Sequence, residues 1–187
     1  MKTETTSREF LSPEELEALE LVSIPANQQH LQKVLDMFLF SCYTGLRFSD
    51  MATLNKNSIR DINGDKWIDT TMIKTNEPIR IPLYLLFEGK PIEILNRYTK
   101  ADNLYFFDDL TNQYVNRCLK DIADIAKIKK RITFHTARHT QATFLLYKGV
   151  SVTTVQKLLG HKKVQTTQIY SKVLDQTTVK ELSNIKY

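Results

Sequence analysis

Apolar residues recur at spacings of three and four at Leu31, Val34, Leu35, Phe38 and Leu39. That period marks the buried face of a helix spanning about 29–43, and Gly45 follows as a C-cap that delivers Arg47 just past the helix end. Upstream, Ser12-Pro13-Glu14-Glu15 carries an N-cap serine, proline at the first helical position and glutamate three residues after the cap. A helix is predicted to start there and run to about residue 22.

The pattern changes between residues 58 and 83. Residues 59–62, 67–72 and 79–81 are short and rich in β-forming side chains, and Asn63-Gly64 between the first two signals a tight hairpin. Lys74-Thr75-Asn76-Glu77 reads as the second turn. After Pro82 the helical period returns, predicting helices over about 91–98, 111–126, 137–147, 153–159 and 177–185. The expected fold class is α+β, mainly helical with a small three-stranded antiparallel sheet. No internal repeat, low-complexity segment or linker interrupts it.

Composition narrows the class. The 187 residues fit one domain with a sizeable core, and 42% hydrophobic with 25% charged residues suit a globular protein. Net charge is +5, with a sequence pI near 9.1, which favours a polyanionic partner. Cys42 and Cys118 lie in apolar, helix-like segments and read as reduced core residues rather than a disulfide. With no apolar run of ~18 residues and no signal peptide, the expected setting is cytoplasmic, with no membrane partner.

Chemistry concentrates towards the C-terminus. Thr133-Phe134-His135-Thr136-Ala137-Arg138-His139 is followed by Leu158-Leu159-Gly160-His161 and, nine residues after that histidine, by Tyr170. Thr44-Gly45-Leu46-Arg47-Phe48-Ser49-Asp50 supplies a second arginine. Two guanidinium groups can hold a phosphodiester bidentately while a phenol attacks it. Each signal alone has a plain alternative. Arg47 and Asp50 suit a structural salt bridge, with Asp50 also able to fix the guanidinium or a histidine. Lys74 on its turn is a candidate acid reaching a DNA groove, with Lys66 and Arg80 as rivals, or simply a solvated lysine. His161 suits a helix C-cap. His135, His139 and His161 could be imagined around zinc, but no carboxylate separates the first two and Arg138 would stand beside the cation.

The order Arg47, Lys74, His135-x-x-Arg138, His161, Tyr170 resembles the catalytic domain of the tyrosine recombinase (phage integrase) family, from about Ser12 to Tyr187. The resemblance implies that fold and a site-specific DNA recombination activity proceeding through a 3′-phosphotyrosine, with no cofactor or metal. It implies that Arg47 and Arg138 clamp the scissile phosphate, Tyr170 attacks it and His161 hydrogen-bonds a non-bridging oxygen. His135 would assist proton removal from the phenol, and Lys74 would protonate the 5′-hydroxyl leaving group. Asp50 matches the family's acidic position. Implied partners are double-stranded DNA and other recombinase protomers, a tetramer on DNA, within the bacterial nucleoid. The stretches Cys42–Asp50 and Ile73-Lys74-Thr75 look most like integrases of conjugative or mobilisable elements.

Family members usually carry an N-terminal helical domain that closes around DNA. Residues 1–11 read instead as a polar tail and 12–187 as the catalytic domain, so the chain is expected to be a catalytic-domain fragment. Two rivals share the chemistry or the partner: a type IB topoisomerase, and a DNA-binding module without catalysis. The short interval from His161 to Tyr170 and the presence of all six positions favour the recombinase.

Overall fold

A computed structural model describes residues 9–99, 103–107 and 110–171. Helix α1 (Pro13–Leu21) begins as its sequence requires: the Ser12 side chain accepts the Glu15 N–H, and the Glu15 carboxylate accepts the Ser12 N–H at 2.8 Å. Leu11, placed in the tail by its position, is instead buried and donates its N–H to Thr140 Oγ1 at 2.9 Å. The packed region therefore starts before Ser12.

Helix α2 (His30–Thr44) is the hub. Its expected face is buried, but so are Met37, Phe40, Cys42 and Tyr43 on other sides. A helix that is apolar nearly all round belongs in the middle of a domain, and α1, α4 (Lys90–Tyr98), α5 (Asn112–Ile125) and α6 (Phe134–Tyr147) pack against it. The charge on this helix is compensated: buried Asp36 accepts hydrogen bonds from Arg97 Nη1 at 2.6 Å and Tyr98 Oη at 2.8 Å, tying α4 (Lys90–Tyr98) to α2. Both cysteines are free and buried, and burial pushes the Cys42 thiol well above its ordinary range.

Past Gly45 comes α3 (Phe48–Ala52), which the periodicity of so short a segment did not reveal. Strands β1 (Ile59–Ile62), β2 (Asp65–Thr71) and β3 (Pro78–Pro82) form an antiparallel sheet in the order β1-β2-β3. Asn63 and Gly64 both have positive φ, and the two-residue loop brings Ile62 opposite Asp65. Polar Asp65 and Lys66 thus join the strand two residues before the apolar pattern begins. Ile68, Ile79 and Ile81 face inward.

Helix α5 (Asn112–Ile125) is capped by Thr111, and α6 (Phe134–Tyr147) starts three residues earlier than expected. The earlier start has two causes. Thr136 Oγ1 accepts the Thr133 N–H at 3.0 Å, with threonine in the capping position usually held by Glu or Gln, and Asn116 Oδ1 accepts the Phe134 N–H at 2.8 Å. Helix α7 (Val152–Leu159) ends on Gly160 and leans on β3, and α8 (Gln165–Ser171) packs on α6 and α7. Helix α8 was not foreseen because its sequence is mostly polar. The helix expected over 177–185 lies outside the described residues. Among the described residues no helix is long and apolar enough to cross a membrane.

Two turns leave little room for a side chain. Gly45 (φ 74°) and Gly160 (φ 57°) are left-handed, and an added Cβ would lie 2.7 Å from Leu159 Cδ2 in the first and 2.9 Å from Met72 Cγ in the second. Gly64 shares the positive φ, but a Cβ there would meet nothing within 4 Å. Alanine at any of the three should cost about 1–2 kcal/mol for the left-handed backbone, and Gly45→Ala and Gly160→Ala should cost visibly more through the contacts. Urea unfolding of the three variants checks this, and equal losses would mean that the close packing at 45 and 160 contributes nothing.

Candidate active site

The exit from α2 is held tightly. The Gly45 N–H donates to Ser41 O at 2.8 Å, and Ser41 Oγ donates to Leu46 O at 2.8 Å, fixing the chain where it delivers Arg47. Asp50, expected to pair with the Arg47 guanidinium or a histidine, bonds backbone instead. One carboxylate oxygen accepts the Arg47 N–H at 3.3 Å and the other accepts the Ile73 N–H at 2.9 Å. The same buried carboxylate therefore anchors the start of α3 and the turn that carries Lys74. Arg47 Nη1 is buried and finds no hydrogen-bond acceptor among the described residues.

On α6, Arg138 is 2% exposed. Nη1 donates to Gly45 O at 2.6 Å, and Nη2 donates to Leu159 O in a short contact. Burial pushes the guanidinium down to about 9, and the positive charge of Arg47 acts in the same direction; Tyr170 and Asp50 oppose it. A buried guanidinium repelled by a second, half-buried one is an environment prepared for an anion.

His135 stands at the exposed start of α6, with its ring edge-on to His139 at 4.3 Å between centroids. His139, one turn further and 5% exposed, meets the phenol: its Nδ1 lies 2.8 Å from Tyr170 Oη. Tyr170 itself is 4% exposed on α8. Sequence reasoning placed His139 in the matched Phe134-His135-x-x-Arg138-His139 motif but gave it no role beyond a discounted metal ligand, although its place four residues after His135 puts the two rings on one helical stripe.

Gly160 stops α7 and turns the chain to His161, which is the C-cap geometry expected there. The His161 N–H donates to Gln156 O and Gln156 Nε2 donates back to His161 O, while the ring Nδ1 lies 2.8 Å from Thr167 Oγ1. Thr167 is fully buried on α8 and was not singled out by its sequence. Lys74 is exposed on the β2–β3 turn. Its rivals are engaged elsewhere: Lys66 pairs with Asp61 at 3.0 Å and Arg80 with Asp69 at 3.4 Å. Among the described residues, no three His, Cys, Asp or Glu side chains gather as metal donors.

The structure therefore brings together the Arg47 and His161 backbone segments through Arg138, the Lys74 turn through Asp50, and Tyr170 through His139. Beside the N-terminus of α6, Arg117, Lys120 and Arg131 line an open groove of about 740 Å³ together with Tyr114, Asn116 and Thr133.

A comparison with known families matches residues 9–177 to the phage integrase family. A tyrosine recombinase of Thermosipho africanus (strain TCF52B) is 33% identical over 174 residues, covering 90% of this chain and 58% of that protein. The chain thus spans little more than half the length of that relative. The crystal structure of XerA recombinase superposes with a TM-score of 0.72 at 22% identity, covering 95% of this chain and 66% of that one. XerH site-specific recombinase bound to difH substrate gives 0.71 at 20% identity, covering 99% and 56%. These solved structures share the mainly helical fold with its small sheet. The chain belongs to the phage integrase family, as a tyrosine recombinase catalytic domain.

Proposed function

We propose that this chain is the catalytic part of a site-specific DNA recombinase that breaks and rejoins strands through Tyr170. The observation that carries the reading is the buried, acceptor-less Nη1 of Arg47 close in charge to buried Arg138. Such donors call for an oxyanion. A guanidinium has five N–H donors; Arg138 spends two on the Gly45 and Leu159 carbonyls, which fix its plane and leave the others for phosphate.

The roles follow from position. Tyr170 Oη attacks the scissile phosphorus and forms a 3′-phosphotyrosine, storing the bond energy for rejoining. Arg47 and Arg138 neutralise the developing charge, and His161, its ring oriented by Thr167, hydrogen-bonds a non-bridging oxygen. Lys74 gives a proton to the departing 5′-oxygen, and Asp50 positions the turn that carries it. The His135–His139 pair removes the phenolic proton.

Duplex DNA is the partner that this chemistry and the +5 net charge suit. XerH recombinase is described bound to its difH substrate and a Tn1549 transposon integrase in complex with a circular intermediate DNA, and we extend a DNA partner to this chain; a tetramer of protomers on DNA in the nucleoid is the assembly that the family resemblance implies. The groove with Arg117, Lys120 and Arg131 offers a backbone-binding surface next to α6. Integration of a mobile element is the narrower reading, supported by the resemblance of Cys42–Asp50 and by the likeness in fold to a Tn1549 transposon integrase. A topoisomerase would instead relax supercoiled DNA without site preference.

The full-length parent incubated with a nicked duplex bearing its recombination site should form a covalent adduct, and Tyr170→Phe should abolish it while leaving DNA binding intact. An unchanged adduct yield in Tyr170→Phe removes the nucleophile assignment. Lys74→Ala should slow cleavage of ordinary DNA but hardly affect a 5′-bridging phosphorothiolate, because a thiolate leaves without a proton. Asp50→Asn should recover in part on the same substrate. No recovery would place its main effect on Arg47. Arg117→Ala with Lys120→Ala should weaken binding of cognate and scrambled duplexes alike and flatten the salt dependence; a loss confined to the cognate site would make these residues sequence readers.

A further inference from the structure

We propose that His139, rather than His135, is the immediate proton acceptor of the nucleophile. This rests on the recombinase reading, and it concerns a side chain which neither the family likeness nor the sequence placed in the reaction. His139 Nδ1 lies 2.8 Å from Tyr170 Oη, a hydrogen-bond distance, and both groups are buried. The contact joins α6 to α8, 31 residues apart in sequence, so it is tertiary structure that selects this histidine. His135 is exposed at the helix start and touches the pair through the His139 ring.

The chemistry requires such a group. A phenol with an ordinary pKa of about 10 is almost wholly protonated near neutrality. An imidazole with an ordinary pKa of about 6.5 is a suitable acceptor there. Its protonation keeps the charge balanced within the site while the phenolic oxygen turns to phosphorus. The Tyr170 O–H bond breaks and its proton passes to His139 Nδ1. The freed electron pair makes the O–P bond, the bond from phosphorus to the 5′-oxygen breaks, and that oxygen takes the Lys74 proton. In rejoining, the 5′-hydroxyl attacks, its proton returns to Lys74, and the departing phenolate recovers its own from the imidazolium.

Arg138 strengthens the arrangement. It directly precedes His139 in α6, and its charge and that of an ionised Tyr170 favour each other. One turn of helix thus supplies both a phosphate clamp and the proton acceptor. His135, with its ring against His139, acts one step removed as a positioning residue that limits how the His139 ring can rotate.

The test separates holding the phenol from taking its proton. In His139→Asn the amide reaches close to the former Nδ1 position and can still hydrogen-bond the hydroxyl, but it cannot accept a proton. In single-turnover cleavage of the nicked duplex by the full-length protein, His139→Asn should lose roughly 10²–10⁴-fold in rate, with DNA affinity and urea midpoint unchanged. His135→Asn should lose much less. Placing 3-fluorotyrosine at position 170, whose phenol is more acidic, should return part of the rate in His139→Asn, and the 5′-phosphorothiolate substrate should return none. If His139→Asn is unstable, His139→Gln is the second amide and the same comparisons apply. Wild-type cleavage by the amide variants, or a larger loss in His135→Asn, overturns the assignment to His139. Absence of any Tyr170-dependent adduct from the wild-type protein is a different result, and it would remove the recombinase reading itself.

Discussion

A single guanidinium holds this site together. Arg138 rises from α6 and donates to two carbonyls belonging to other parts of the chain, Gly45 at the end of α2 and Leu159 at the end of α7. Arg47 follows the first by two residues and His161 follows the second by two. Helix carbonyls at a C-terminus lack intrahelical partners and carry partial negative charge, so a buried cation between two of them satisfies both ends at once. Removing that cation would leave the carbonyls buried without donors and release both side-chain-bearing turns.

The sheet is joined to this assembly by two contacts of different kinds. One is polar, the Asp50 carboxylate on the Ile73 N–H. The other is steric, the close approach of Gly160 to Met72 and Ile79. Both lie within two residues of Lys74 on the β2–β3 turn or on its flanking strands. Lys74 is exposed and long, so its reach depends on how rigidly the turn beneath it is fixed. Asp50 thus contributes to the site without needing to meet the Arg47 guanidinium, because a carboxylate that accepts two backbone N–H groups already has its charge satisfied.

Much of this was legible in the sequence, for local reasons. The Ser12–Glu15 capping box, the Gly45 and Gly160 caps and the Asn63-Gly64 hairpin are each encoded within four or five residues, and they formed where expected. The three strands followed from β-forming runs separated by turn residues, and the helices between residues 90 and 159 from periodicity. What escaped was tertiary or too short to show a period. Helix α3 has five residues, and α8 is mostly polar yet buries Thr167 and Tyr170. The direction of the Asp50 carboxylate depends on a turn 23 residues away, and the partner of Tyr170 depends on how α8 crosses α6. His139 illustrates the limit: its spacing from His135 put both on one stripe, but spacing alone could not say which of them would meet a phenol from another helix.

The sheet has two ends that face different demands. The Asn63-Gly64 tip and the Lys74 turn are separated by the seven residues of β2, roughly 20 Å of extended chain. The Lys74 turn is tethered by Asp50 and crowded by Gly160, whereas Gly64 has open space where a side chain would go. The tip is therefore the end of the sheet where length can drift: a loop grafted at Asn63-Gly64 would extend the molecule outward, while one extra residue in the Lys74 turn would shift the register of the lysine against everything that holds it.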